Sequence, residues 1–482
     1  MDITKLRDIK LSDTDEIYVT GWIDSIRFSK KTVFFELRDE GDPNVIIQCV
    51  ISIDLGNNLK KEGYVKLRGN VSKLPEKYKT KRGFEFHVKE IVYYNDSDSD
   101  FSEKIPDDAG TDTKFNQRHL YVRSQEMRVH ALLIDLVLDS CRSTFKKMGF
   151  VEIIPPLFGG TKCEGGSNTF EMDHMGTQVY LTQSSQMYLE AMVPSLGSVY
   201  CIQPSFRKEK SHTRRHLTCF THIEAELPNI LTLEDFYKFL ESFVRTLLQT
   251  IIRKDKKGIL DYLNTKDKIL KYLEKGFKIL NHSEAVKMVS PDFKEFDDIP
   301  EAEERKLIDQ IDQIVFLSKF PTMTKAFYTA TDANDKNRAL AVDVEFPGVG
   351  EIIGSSMRES SYEKLKQNLR LYTLRDASED LLHYVEDVKI HEKVNNLIIQ
   401  QDTDGLYNVL KEIVNQYAPE KLSEIDNIPY SSYEWYFDMR KYGHSNTAGF
   451  GLGMERIICW LADAANIKEV TMFPRFDGRL SP

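Results

Sequence analysis

The segment "SFRKEKSHTRRHLTCFTHIEAEL", residues 205–227, concentrates positive charge in a chain that is acidic overall. Seven of the ten positions from 207 to 216 are Arg, Lys or His. The flanking runs "VYCIQPSF" and "LTCFTHIEAEL" alternate as strands do, so the segment is predicted to form an antiparallel hairpin with a long cationic loop. Arginine binds phosphate in a bidentate manner, which makes this loop a candidate clamp for a polyphosphate. A basic loop taken alone is more often solvated surface.

Two further side chains of the hairpin bear on this prediction. Glu209 lies two positions after Arg207, and on one strand the two would share a face, with a hydrogen-bond acceptor beside an anion binder. Phe220 offers an aromatic plane on which a base can stack. Both side chains are therefore suited to binding a nucleotide base.

Composition excludes several classes of protein. The 482 residues carry 65 Lys and Arg against 75 Asp and Glu, so any nucleic-acid site must be a local patch, and no DNA partner is expected. The six cysteines contain no CxxC pair, which argues against a zinc site and fits a reducing compartment. No run of about 18 apolar residues and no apolar signal core occurs, so a cytoplasmic protein without a membrane partner is expected.

The chain divides by composition into three parts, and the predicted fold class is α+β. Five short β-branched and aromatic runs between residues 15 and 94 predict a small closed barrel, either of the oligonucleotide-binding type or of another type, in a domain over 1–95. Residues 96–118 are acidic and Ser/Asp-rich, which predicts a hinge or linker. Residues 119–482 form the last domain, in which the Lys-, Glu- and Leu-rich stretch of about 232–320 is predicted to be a helical insertion.

Two more segments are weak signals when taken alone. "GFGLGMER", residues 449–456, places three glycines before an apolar helix, with Arg456 at the start of that helix. "DVEFPGVGE", residues 343–351, carries Asp343 and Glu351, a pair that could hold Mg²⁺ beside a polyphosphate or be two surface acids. Because neither a GxxxxGK[ST] loop nor the dinucleotide fingerprint is present, a bound nucleotide would lie on another frame.

The order "GFVEIIPPLF", "FRKE…RRHLTCF" and "GFGLGMER" resembles the three signature motifs of class II aminoacyl-tRNA synthetases. The preceding barrel resembles the anticodon-binding domain of the subgroup that contains the aspartyl, asparaginyl and lysyl enzymes. The resemblance covers nearly the whole chain. It implies a catalytic domain built on an antiparallel sheet flanked by helices, and a homodimer with Pro156 of the first motif at its interface.

The resemblance also implies an ATP site with Mg²⁺ as cofactor. Arg207 and Arg456 are the expected catalytic residues, and Asp343 with Glu351 the expected metal ligands. The expected ATP-binding residues are Arg207, Glu209, Arg215, His216, Leu217, Phe220, Glu351, Gly453 and Arg456.

The remaining implied roles concern the amino acid and the RNA. The pattern favours the asparaginyl members, and hence the activation of L-asparagine and its transfer to tRNA(Asn). Phe34 and Gln48 lie where relatives bind anticodon bases. The expected amino-acid-binding residues are Glu164, Gln186, Leu189, Glu224, Gly354 and Arg358.

Leu189 and Glu224 carry the preference for asparagine. Aspartyl enzymes place a lysine where this chain has Leu189, and Glu224 is suited to accept from an amide NH₂. Three alternatives stay open: an aspartate–tRNA ligase that is possibly non-discriminating, a synthetase-derived asparagine synthetase, and an inactive RNA-binding paralogue. Cys219, which replaces an acid usual beside the adenine-stacking aromatic, is a departure from the family pattern.

Overall fold

The computed structural model describes residues 3–10, 15–40, 45–74, 83–98, 101–163, 169–209, 213–290 and 292–482. They divide into two compact units, Met1–Leu132 together with Pro482, and Leu133–Ser481. Within the described ranges, no helix is both long and apolar enough to cross a membrane.

The first unit contains a closed five-stranded barrel, as the sequence predicts. Alternate residues such as Val33, Phe35 and Leu37 fill its interior, which is the period-two pattern of a strand with one buried face. The strand order around the barrel is β1-β2-β3-β5-β4. The strands are β1 (Ile17–Phe28), β2 (Thr32–Arg38), β3 (Ile46–Ser52), β4 (Tyr64–Lys73) and β5 (Phe84–Asn95).

Short helices accompany and follow the barrel. Three of them lie wholly or partly within the acidic segment 96–118, where the sequence predicts a linker. The helices are α1 (Ile53–Gly56), α2 (Phe101–Lys104), α3 (Thr111–Asn116), α4 (Arg118–Tyr121) and the long α5 (Gln125–Lys147), which continues into the second unit.

The second unit is built on an eight-stranded sheet in the order β12-β13-β14-β15-β16-β11-β10-β6, and a small sheet in the order β7-β9-β8. The large sheet is antiparallel except for the pairs β6–β10 and β12–β13. The strands are β6 (Val151–Glu152), β7 (Phe158–Gly159), β8 (Glu171–His174), β9 (Thr177–Leu181), β10 (Val199–Phe206), β11 (Cys219–Pro228), β12 (Phe277–Asn281), β13 (Ile314–Ser318), β14 (Ala341–Phe346), β15 (Gly350–Met357) and β16 (Thr447–Gly453).

Helices flank this sheet, with Phe145 of α5 stacked on Tyr200 of β10 at a centroid distance of 4.1 Å. The helices are α6 (Gln186–Leu196), α7 (Leu233–Lys254), α8 (Ile259–Tyr262), α9 (Lys266–Lys275), α10 (His282–Val289), α11 (Glu301–Ile311), α12 (Tyr362–Leu381), α13 (Val388–Gln400), α14 (Thr403–Tyr417), α15 (Leu422–Asp426), α16 (Tyr430–Asp438), α17 (Met454–Ala462) and α18 (Ile467–Val470). Helices α12 to α15 enclose a hydrophobic cluster of their own.

The segment 232–320 differs from the prediction of a helical insertion. Its described residues do contain five helices, but β12 and β13 within it pair with each other, and β13 pairs with β14 of the large sheet. The two strands are runs of only five residues, "FKILN" and "IVFLS", between long charged helices. Two such short runs do not predict strands within a segment whose composition is typical of helices, although the second run is completely buried.

Candidate active site

A cavity of about 360 Å³ lies in the second unit and is lined by residues of eight strands and helices, among them β11, β14, β15 and α17. Most of the residues predicted from the motifs line it. They are Gln186, Arg207, Glu209, Arg215, His216, Leu217, Phe220, Glu224, Asp343, Glu351, Gly354, Arg358, Gly453 and Arg456. The structure thus brings together side chains that are up to 270 positions apart in the chain.

The predicted hairpin is formed by β10 and β11, which pair from Val199↔Glu226 to Phe206↔Cys219. Arg207 and Glu209 follow the end of β10 instead of lying on it, but both still line the cavity. The Arg207 guanidinium lies 5.5 Å from the centre of the Phe220 ring. An anion binder and an aromatic plane therefore share one corner of the cavity.

Arg215, in the loop of the hairpin, is surrounded by acidic side chains. It lies 3.6 to 3.7 Å from carboxylate oxygens of Glu301, Glu304 and Glu351. Burial by itself lowers the pKa of Arg215, but these carboxylates and that of Glu345 outweigh it and raise the pKa above its ordinary value. Gly350 makes room for the guanidinium, since a Cβ there would lie 2.7 Å from Nη1 of Arg215.

Opposite this loop, β14 and β15 carry the two predicted metal ligands. Asp343 accepts from Lys325 at 2.7 Å, and Glu351 lies 3.0 Å from Nη1 of Arg456. Burial favours the neutral form of Glu351, yet the guanidiniums of Arg456 and Arg215 lower its pKa to about 2. Burial raises the pKa of Asp343 to about 6, although Lys325 opposes the shift.

Glu345 is a third carboxylate on the same face of β14, and the motif analysis missed it. It pairs in register with Glu351, is 1% exposed, and neither of its carboxylate oxygens has a hydrogen-bond partner among the described residues. The period-two spacing from Asp343 could have pointed to it.

At the other side of the cavity, Arg358 contacts Glu226 through Nε at 3.2 Å and also through Nη2. Burial raises the pKa of Glu226 to about 8, with Glu190 and Glu224 acting in the same direction and Arg358 against it. Glu226 was not predicted from the motifs, although "EAE" at 224–226 places it on the same strand face as Glu224.

Glu224 itself is engaged within the protein. It accepts from the Ser185 backbone N–H at 2.8 Å and from the Ser184 hydroxyl. These contacts hold the segment that precedes α6, on which Gln186 is the first residue.

Two of the predicted amino-acid-binding residues are not placed in the cavity. Leu189 is fully buried in a hydrophobic cluster with Val193, Val199 and Cys201, so its side chain serves packing and does not line the site. Gln186 bonds instead to Glu190, four positions along α6, while Leu189 packs against Val193, which lies four positions after it. Glu164 lies outside the described residues.

The two predicted RNA-binding residues lie on the first unit. Phe35 is in the barrel core, while Phe34 is half-buried on the outer face, where the Arg27 guanidinium lies 5.4 Å from its ring centre. Gln48 is also partly exposed and donates to Glu85 at 3.3 Å. An aromatic ring beside a cation and an amide is suited to contact with single-stranded bases.

Comparison with known proteins agrees with this architecture. Residues 110–477 match the family "tRNA synthetases class II (D, K and N)", and residues 17–93 match "OB-fold nucleic acid binding domain". The chain therefore belongs to the class II aminoacyl-tRNA synthetases of the D, K and N group, which are enzymes.

Within that family, the chain is similar to asparaginyl enzymes. The cytoplasmic asparagine–tRNA ligase of Saccharomyces cerevisiae is 33% identical over 99% of this chain and 79% of its own length. The structure of asparaginyl-tRNA synthetase from Pyrococcus horikoshii, complexed with asparaginyl-adenylate, is 28% identical with a TM-score of 0.81 and covers 100% of both chains. The corresponding complex from Entamoeba histolytica is 27% identical with a TM-score of 0.75, over 98% of this chain and 97% of that one.

Proposed function

We propose that this chain is an asparagine–tRNA ligase, which activates L-asparagine with ATP to asparaginyl-adenylate and transfers the asparaginyl group to tRNA(Asn), releasing pyrophosphate and AMP. The observation that carries the proposal is the contact between Arg358 and Glu226 at one side of the cavity. We refer to this side, with Gln186, as the amino-acid end. The side lined by Arg207, Arg215, Asp343, Glu351 and Arg456 is the phosphate end, and the buried Glu345, paired in register with Glu351, adjoins it.

The Arg358–Glu226 pair matches a carboxamide. A carboxamide has an oxygen that accepts and an NH₂ group that donates, whereas a carboxylate only accepts. Arg358 donates to the oxygen and Glu226 accepts from the NH₂ group. Because Glu224 is engaged with Ser184 and Ser185, we assign this role to Glu226 in its place.

At the phosphate end, the proposed chemistry needs positioning and positive charge. An oxygen of the asparagine α-carboxylate forms a bond to the α-phosphorus of ATP, and the bond from that phosphorus to the pyrophosphate oxygen breaks. Arg207 and Arg456 stabilise the charge that develops on the phosphoryl oxygens. Phe220 stacks on the adenine, and Glu209 accepts from its amino group.

The residues present fit a Mg²⁺ ion. A Cβ at Gly354 would lie 2.9 Å from Oε1 of Glu351 and 3.9 Å from Oδ1 of Asp343, so the two carboxylates converge over a position that has no side chain. Mg²⁺ is commonly held by one or two carboxylates plus substrate phosphates, and Asp343 and Glu351 would hold it here. When bound, it would neutralise phosphate charge.

In the second reaction, a hydroxyl of the terminal tRNA ribose attacks the asparaginyl carbonyl, and AMP leaves. We propose that the barrel binds the anticodon through Phe34 and Gln48. Stacking on an aromatic ring contributes about 1–3 kcal/mol per base.

We also propose a homodimer formed through the first motif, about residues 127–157. Apolar side chains are exposed on this segment and just beyond it, with Ile154 at 95% and Val151, Leu157 and Phe158 near 40%. Exposed apolar patches of this kind mark association surfaces. A stable, active monomer in sedimentation at micromolar concentration would contradict the proposal.

The test of the function is ATP–pyrophosphate exchange with asparagine, aspartate and lysine in turn, followed by charging of tRNA(Asn). We expect pyrophosphate exchange with asparagine but not with aspartate or lysine, and transfer of the asparaginyl group to the tRNA. Exchange with aspartate at equal efficiency would replace the proposal by a non-discriminating aspartate enzyme. Exchange without charging would point to a synthetase-derived enzyme of another class. The relatives are described as cytoplasmic, and we propose the same compartment for this chain.

A further inference from the structure

Glu190 lies behind the amino-acid end and joins three parts of the chain. Its side chain is fully buried, as is that of Arg440. Oε2 of Glu190 accepts from Nη2 of Arg440 at 2.7 Å, while Oε1 accepts from the Tyr436 hydroxyl at 2.7 Å and from the Gln186 amide at 3.0 Å. Gln186 is thus held by a carboxylate that is itself fixed by an ion pair.

Arg358 lies between this carboxylate and that of Glu226. Its Nε atom is 3.9 Å from Oε1 of Glu190 and 3.2 Å from Oε2 of Glu226. Burial favours a neutral Glu190, but the Arg440 and Arg358 guanidiniums more than offset this and hold its pKa below the ordinary value. Glu190 is therefore ionised at neutral pH.

We propose that Glu190 determines the choice between asparagine and aspartate, because its carboxylate partly neutralises the Arg358 guanidinium in addition to Glu226 and orients Gln186. This inference rests on the proposed function. It gives Glu190 a positioning role, since its contacts are with Gln186 and Arg358 and no contact with substrate is invoked.

The physical reason is charge balance in a buried site. The Glu190 carboxylate, 3.9 Å from Nε of Arg358, lowers the positive potential that this guanidinium offers to a substrate carboxylate, and a buried carboxylate without a full counter-charge is strongly disfavoured. A carboxamide oxygen needs only a hydrogen bond. Arg358 uses three of its five N–H donors on Glu226 and Ser356 in the described contacts, which leaves donors for that oxygen.

The test compares kcat/KM for asparagine and aspartate in pyrophosphate exchange. Glu190→Gln keeps the shape and removes the charge. Because it leaves Arg440 without its partner, a second variant combines Glu190→Gln with Arg440→Met, which replaces the whole ion pair. The matched control is Glu62→Gln, which breaks a buried Glu–Arg pair with two 3.0 Å contacts to Arg38 in the barrel.

We expect the aspartate-to-asparagine ratio to rise at least tenfold in Glu190→Gln, to rise by a smaller factor in the double variant, which also loses the positive charge of Arg440, and to stay unchanged in the control. A purely structural role would lower kcat/KM for both amino acids together, and an unchanged ratio in the folded double variant would overturn the inference. Failure of the proposed function is distinguishable, since it would appear in the wild-type enzyme as absence of asparagine-dependent exchange.

Discussion

The two ends of the cavity hold their buried charges differently. At the amino-acid end, Glu190 and Glu226 receive short hydrogen bonds from arginines, a tyrosine and a glutamine. At the phosphate end, Arg215 lies 3.6 to 3.7 Å from its acidic neighbours, and its Nε and Nη1 atoms are buried without hydrogen-bond partners among the described residues. Both carboxylate oxygens of Glu345, at the same end, are also buried without hydrogen-bond partners among the described residues.

The difference follows from the ligands that the two ends are proposed to take. A neutral carboxamide brings no charge, so the groups that recognise it must already be neutralised by one another. ATP and a divalent cation bring several charges, so Arg215 at the phosphate end keeps donors without hydrogen-bond partners among the described residues, and these are available when such ligands bind. Substitutions of the same kind should therefore have opposite effects at the two ends.

Glu190→Gln should have the largest effect, and it should be destabilising. The substitution leaves the fully buried Arg440 guanidinium without its carboxylate, and breaking a buried ion pair in this way costs about 3–5 kcal/mol. Chemical denaturation of the ligand-free enzyme measures this change. Stability equal to that of the wild type would show that the amino-acid end is not a mutually neutralised network.

Arg207→Ala should abolish most adenylate formation and leave the fold intact. The loss in kcat/KM for pyrophosphate exchange should be at least about 100-fold, because the guanidinium acts on charge that develops in the transition state. Arg214→Ala is the matched control, since Arg214 is an exposed arginine of the same loop that does not line the cavity. Equal losses in the two variants would move the phosphate clamp away from Arg207.

Glu345→Gln should stabilise the ligand-free, metal-free enzyme by about 1–3 kcal/mol, in contrast to the same substitution at Glu190. The reason is that burial, with the carboxylates of Glu304 and Glu351, raises the pKa of Glu345 well above its ordinary value, so the acid must take up a proton on folding at neutral pH and the amide need not. Denaturation in the presence of a chelator is the measurement. Destabilisation would mean that the carboxylate stabilises Arg215 more than its burial costs.

More residues of the phosphate end than of the amino-acid end could be predicted from the sequence. The cause is that contacts at the amino-acid end join residues that are far apart in the chain. Arg207, Glu351 and Arg456 lie in short motifs whose order identifies the family. The pair Glu190–Arg440 joins positions 250 apart, and neither residue stands out within its own helix. The same limit applies to β12 and β13, which are short runs that only the sheet reveals as strands.

Packing explains why Leu189 does not line the cavity. The position was compared with a lysine of related enzymes, but its side chain points into a hydrophobic cluster with Val193 and Val199. In the barrel, by contrast, strand alternation allows only one of Phe34 and Phe35 to face outward, and the structure shows that it is Phe34. Strand alternation thus limits which of two neighbouring side chains can face outward, and the three-dimensional contacts determine which one does.

The smallest expected effect is a pH dependence of the discrimination against aspartate. Burial and the neighbouring carboxylates Glu190 and Glu224 raise the pKa of Glu226 to about 8, against the opposing effect of Arg358. Below that pH the carboxyl is largely protonated and tolerates a second carboxylate, whereas above it the ionised form repels aspartate and accepts from the asparagine NH₂ group. Between pH 7 and pH 9 the protonated fraction of a group with this pKa falls about tenfold, so the aspartate-to-asparagine ratio of kcat/KM should fall by a similar factor. Glu226→Gln cannot ionise and should give a flat profile. A wild-type ratio that stays constant over this range would show that Glu226 does not sense the charge of the substrate side chain.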